Sequence, residues 1–175
     1  MDVYDALYTR RSVREYADTP ITEETLKRLI GSLRVAPSAV NAQPWKFVFV
    51  TEGKVKDRIV YACKGKEWIG KAAVIVVGCG YPELAYKNMG GDGNSIDVDI
   101  AIALDHMSIA ARSEGLGSCW IGAFNEQEVK SIVRAPDNVK IVSMMTVGYP
   151  VDETVFKTDL DRRKSCNEII SYNTF

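Results

Sequence analysis

Residues 72–121 read AAVIVVGCGYPELAYKNMGGDGNSIDVDIAIALDHMSIAARSEGLGSCWI, and the order of patterns in this stretch decides the fold class. Ala72 to Cys79 is an unbroken apolar run of strand length, rich in β-branched residues, and reads as a buried strand. From Ile96 to Glu114 the residues Ile100, Ala103, Leu104, Met107, Ala110 and Ala111 keep helical period, and Gly115 stands where a helix-ending glycine belongs. Gly117 to Ile121 returns to a strand pattern. Between the first strand and the helix lies a polar, glycine-rich stretch, Gly80 to Ser95; loops of this length carry function or move more often than not.

Working outward, Lys46 to Thr51 (KFVFVT) and Val139 to Tyr149 supply two further strands, and Val55 to Cys63 a helix. Glu23 to Leu33 forms another helix capped by Thr22, with Leu26, Leu29, Ile30 and Leu33 on the face expected to meet a core. Asp2 can cap a short helix through Tyr8, and Asn125 with Glu128 resembles a capping box for a helix ending at Val133. Ile169 to Tyr172 (IISY) is strand-like and could pair with a partner's sheet. Strands alternating with helices predict one α+β domain over residues 1–175, built as an α/β/α three-layer arrangement.

The chain has 175 residues with 22 Lys+Arg against 23 Asp+Glu, a formal net charge of 22 − 23 = −1. That balance argues against a basic nucleic-acid or membrane-surface protein. No apolar run approaches the ~20 residues of a membrane span, and the start, MDVYDALYTRR, lacks the apolar segment of a signal peptide. Four cysteines, Cys63, Cys79, Cys119 and Cys166, show no CxxC spacing and read as reduced thiols in a cytoplasmic protein.

Arg10-Arg11-Ser12-Val13-Arg14 places three guanidinium groups in five residues after a helix, either an anion cradle or a solvated basic patch. Arg162-Arg163-Lys164 is a second basic cluster near the far end. Gly78-Cys79-Gly80 and Gly115-Leu116-Gly117 fail as dinucleotide fingerprints, because Glu83 and Trp120 stand where the third glycine belongs. The lone His106 has no serine or cysteine at motif spacing, which leaves a hydrolase triad or histidine metal site without support. Asp97 and Asp99 suit the positive end of a helix. The Pro37 to Trp45 segment mixes Ser38, Asn41 and Gln43 with two prolines, and could be a plain turn or a reader of a heterocycle edge.

Taken in order, RRSVREY, APSAVNAQPWKFVFV, GLGSCWIGAF, VGYP and a closing basic stretch before NEIISYNTF resemble the nitroreductase family of FMN-dependent oxidoreductases over essentially the full length. The resemblance implies a mixed or antiparallel central sheet flanked by helices, and a homodimer with FMN at the subunit interface. It implies that Arg10, Arg11 and Ser12 hold the FMN phosphate and ribityl chain, joined by Arg163 or Arg162. Arg14 would lie near the N1 and C2 carbonyl edge of the flavin, Ile121, Gly122 and Ala123 would border the ring, and Pro37, Ser38, Asn41 and Gln43 would come from the partner subunit. The terminal 165–175 segment would extend onto that partner. The implied activity is ping-pong hydride transfer from NAD(P)H to a nitroaromatic, quinone or other small acceptor. The alternatives are an FMN carrier or electron store, or a scaffold turned to dehalogenation or flavin destruction. The sequence departs from the family's pattern where Ser165 replaces a common proline, and no flavin-contacting asparagine is visible in Lys64 to Gly70.

Overall fold

The computed structural model describes residues 1–175. Four strands, β1 (Trp45–Val50), β2 (Val74–Gly80), β3 (Gly117–Ile121) and β4 (Lys140–Gly148), pair in the order β1-β2-β4-β3. Every pairing is antiparallel, which decides between the mixed and antiparallel expectations. β2 is buried along its whole length because helices cover both faces of the sheet, and this explains its continuous apolar run.

Alternation along the strands sorts the core into two layers. Val74, Val76, Met145 and Val147 pack with Leu29 and Leu33 of α2 (Glu23–Arg34) and with Ile100, Leu104 and Met107 of α5 (Ile96–Ser113). Ile75, Val77, Ile141 and Met144 pack on the opposite face. There they meet Ile59 of α3 (Gly53–Ala62), Ile69 of α4 (Trp68–Lys71) and Val129 of α6 (Glu126–Val133). Each such fully buried aliphatic side chain contributes about 1.5–3 kcal/mol by leaving water. The fold is therefore α+β in three layers, with α1 (Val3–Thr9) packed against α5. No helix is long and apolar enough to cross a membrane.

Three of the four glycines that imitate a dinucleotide fingerprint serve packing, whereas Gly115, at φ +77° with open space where a Cβ would stand, serves the turn after the long helix. A Cβ on Gly80 would lie 2.5 Å from Ile96 Cγ1, and one on Gly78 would lie 2.8 Å from Ile100 Cγ2, so α5 could not approach β2 as it does. Gly117 is crowded in the same way by Val13.

Two expectations need refining, and one element was not expected. Ile30 is 45% exposed, because only Leu29 and Leu33 of its stripe reach the core fully. The one-turn helix α4 follows no apolar period and gave no signal. Ile169 to Tyr172 pairs with no strand of its own chain: Ser165 and Glu168 close a reciprocal capping box that winds Cys166–Ile169 into a short helix, α7, and Ile170 leaves it in extended backbone.

Candidate functional site

The chain leaves α1 after Thr9 and runs along the outer edge of the sheet. Ser12 bridges Ser118 in parallel register, and the Val13 amide donates to the Ser118 carbonyl at 3.0 Å. Buried Tyr16 fastens the segment from beneath, its hydroxyl donating to the Val13 carbonyl at 2.7 Å and lying 2.7 Å from Thr146 Oγ1. Burial raises the pKa of that hydroxyl, which keeps it protonated and able to donate. Arg10, Arg11 and Ser12 are thus presented from a fixed backbone.

The far end of the chain returns to the same place. Arg10, Arg11, Ser12, Asp159, Arg162 and Arg163 line one open cavity of about 330 Å³ with no hydrophobic residue among them. Four guanidinium groups and one carboxylate leave a formal charge of 4 − 1 = +3 around it. A phosphomonoester of about −2 charge matches that sign and leaves Asp159 tolerable. One atom makes the case sharper: Arg11 Nη2 is buried and has no hydrogen-bond partner. Buried charged donors are almost always satisfied, so the cradle's own groups call for an acceptor oxygen. The two basic clusters read from the sequence therefore converge, and Arg162 and Arg163 both reach the cavity.

The other candidate residues lie elsewhere. The Arg14 guanidinium stands 5.6 Å from the centroid of the Trp68 ring, a cation–π contact that ties it to α4. Ile121 ends β3, with Gly122 and Ala123 exposed just beyond it. Pro37, Ser38, Asn41 and Gln43 form a tight loop at the entry to β1, where Val40, Asn41 and Gln43 all have positive φ, at 48°, 56° and 48°. Such backbone is costly for side chains other than glycine and persists only when surrounding contacts enforce it. Here Ser38 Oγ accepts the Gln43 amide at 2.9 Å, and Gln43 Nε2 donates to Asn41 Oδ1 at 3.2 Å. The carboxylate of Asp99, 2% exposed, accepts the Ala39 amide at 2.9 Å and the Ser95 hydroxyl at 2.7 Å. Asp99 is therefore more than a helix-end charge; it clasps this loop to the base of the Gly80–Ser95 loop.

Strand register shows how far that loop is from the arginines. Trp45 pairs with Gly80 and Gly80 with Lys140, whereas Gly117 pairs with Gly148. Eight steps of β4 (148 − 140 = 8), about 27 Å, and three strand spacings, about 14 Å, separate the two corners. Within one chain the loop and the arginine cavity are diagonally opposed. The structure thus brings Arg10, Arg11, Ser12, Arg162 and Arg163 together and does not bring Pro37, Ser38, Asn41 or Gln43 to them.

The three buried thiols are not poised as nucleophiles. All four cysteines are free thiols; burial pushes Cys63 and Cys79 up to about 11 and raises Cys119 despite Arg14 and Ser12 pulling it down. Thiols so shifted stay neutral near pH 7. Asp159 and Trp68 are not legible in the sequence, because one of the two carboxylates in the TDLDRR run and a lone tryptophan carry no spacing signal.

The model of the nitroreductase family matches residues 7–73 and 61–149. An Archaeoglobus fulgidus protein named for NADH dehydrogenase and NAD(P)H nitroreductase is 30% identical over 160 residues, covering 89% of this chain and 90% of its own. A Bacillus subtilis protein named FMN reductase (NAD(P)H) is 30% identical over 174 residues, covering 91% and 70%. A Thermotoga neapolitana protein named iodotyrosine deiodinase is 27% identical over 194 residues, covering 99% and 98%. The solved structure of a nitroreductase family protein from Clostridium difficile 630 superposes with a TM-score of 0.89 over 100% of both chains, a likeness of fold at 24% identity.

Proposed function

This chain belongs to the nitroreductase family, and from that premise we propose that it is an FMN-dependent oxidoreductase taking reducing equivalents from NAD(P)H to a nitroaromatic, a quinone or another small acceptor. The observation that carries this reading is the convergence of four arginines on one cavity, one of which, Arg11, has a buried Nη2 without a partner. Arg10, Arg11 and Ser12, with Arg162 and Arg163 from the other end of the chain, hold the phosphate. Arg14 is assigned the pyrimidine edge of the flavin, where a cation favours the reduced, more negative form. Ile121, Gly122 and Ala123 border the ring and offer backbone donors. Bound FMN would supply the hydride chemistry at N5 that no side chain here provides, so that donor and acceptor use one site in turn.

The partner subunit supplies the Pro37, Ser38, Asn41 and Gln43 loop. A mononucleotide cannot span the diagonal of one chain's sheet, so two copies are needed for loop and cradle to share one flavin. Exposed apolar residues support that homodimer: Val3, Tyr4, Leu7 and Tyr8 on α1, and Ile169, Ile170, Tyr172 and Phe175 in the terminal segment. Free thiols fit a reducing compartment, and we place the protein in the cytoplasm.

The test is anaerobic mixing of the FMN-loaded protein with NADH or NADPH. The visible flavin band is expected to bleach within the turnover time, and double-reciprocal plots at several acceptor concentrations should be parallel. A flavin that stays oxidised with both donors would make the protein a carrier instead, and intersecting lines would rule out alternating use of one site.

A further inference from the structure

Arg112, near the end of α5, reaches outward to two segments that the chain's topology otherwise leaves unconnected. Its Nε donates to Thr9 Oγ1 at 2.8 Å, and its guanidinium lies 3.9 Å from the centroid of the Phe156 ring. Thr9 immediately precedes Arg10, Arg11 and Ser12, and its hydroxyl also bonds back to the Asp5 carbonyl of α1. Phe156 comes just before the segment that carries Asp159, Arg162 and Arg163. From Val151 to Phe175 only Phe156 and Asp159 are shielded even partly from water, and every residue from Asp161 onward is exposed. Phe156 also packs on the small cluster of Val13, Tyr16 and Ala72. Within its own chain the closing basic segment is thus held chiefly at Phe156, pressed between that cluster and Arg112.

Arg112 makes no ion pair within 4.0 Å, although Glu153 and Asp5 bear on its charge. Its contacts go to one hydroxyl and one ring, which suits a residue that sets position. A planar guanidinium can donate in its plane while stacking on an aromatic face, a combination that lysine cannot reproduce.

We propose that Arg112 is a positioning residue for the phosphate cradle, fixing the Arg10–Ser12 wall through Thr9 and the Arg162–Arg163 wall through Phe156. The inference rests on the reading of the cavity as the FMN phosphate site. It predicts selective loss of phosphate recognition with the flavin ring's own affinity unaffected.

The experiment compares dissociation constants for FMN and for riboflavin, which lacks the phosphate, in the wild type, Arg112→Met and Thr9→Val, by quenching of flavin fluorescence. The wild type should favour FMN at least tenfold; no preference would overturn the phosphate reading itself. Given that preference, Arg112→Met should reduce it about tenfold while riboflavin affinity stays within twofold. An unchanged preference, or equal losses for both flavins, would overturn the positioning role. Should Arg112→Met fail to fold, Thr9→Val decides: it leaves the arginine in place and should lower the preference about threefold, and no change would count against the proposal.

Discussion

Arg11→Ala should weaken FMN binding by about 1.5–3 kcal/mol, the range for hydrogen bonds to a charged group, which is roughly a ten- to hundredfold rise in Kd. The effect should be specific in three respects. Riboflavin affinity should change little, because Arg11 faces the phosphate end of the proposed site. Salt should narrow the gap between wild type and variant, since part of the lost attraction is Coulombic. The flavin-free protein should lose no stability and could gain some, because Arg11 Nη2 is a buried donor without a partner and its removal relieves an unsatisfied group. Thermal melts with and without saturating FMN, beside a fluorescence titration, check all three. A variant destabilised without flavin yet still binding FMN normally would show Arg11 to be a packing residue.

Gly117→Ala should act on the same cradle through the backbone. The new Cβ would fall 2.5 Å from Val13 Cγ2 and 2.6 Å from Val13 Cβ, separations that atoms do not occupy. Val13 cannot swing aside, being 4% exposed with its amide bonded to the Ser118 carbonyl at 3.0 Å. The Arg10–Val13 segment must therefore lift from β3, at a cost of about 1–3 kcal/mol for overpacking. FMN affinity should fall with stability, because Ser12 and Arg11 move with Val13. Adding Val13→Gly removes the Cβ together with both Cγ atoms and should restore part of each, a coupling readable in a double-mutant cycle. Two independent, additive losses in urea denaturation and flavin titration would contradict the steric explanation.

How much of this was legible beforehand depended on whether the signal was periodic or solitary. The long helix was expected over Ile96 to Glu114 and spans Ile96–Ser113, because eighteen residues of apolar spacing with a glycine just beyond leave little freedom. β2 was legible as an apolar run between polar stretches, although only the structure shows that helices bury both its faces. The terminal IISY segment misled, since β-branched composition favours a strand while the Ser165–Glu168 box winds the preceding turn into a helix. At the candidate site, Arg10, Arg11 and Ser12 stood out as a cluster. That Arg162 and Arg163 meet them followed only from family resemblance, because no local rule connects residues about 150 positions apart. Arg112 stayed hidden, as one basic residue in the last turn of a helix looks like a favourable dipole partner and nothing more. Asp99 was hidden in the same way at the opposite end of that helix, its carboxylate shared between Ala39 and Ser95.

A crystal structure of the protein grown with FMN would decide the matter most directly. The phosphate should lie among Arg10, Arg11, Ser12, Arg162 and Arg163, with one of its oxygens within hydrogen-bond distance of Arg11 Nη2, and the Ser38–Gln43 loop beside the ring should come from the second subunit. A phosphate bound away from this cavity, or a flavin contacted by the loop and the cradle of one and the same chain, would contradict the assignment.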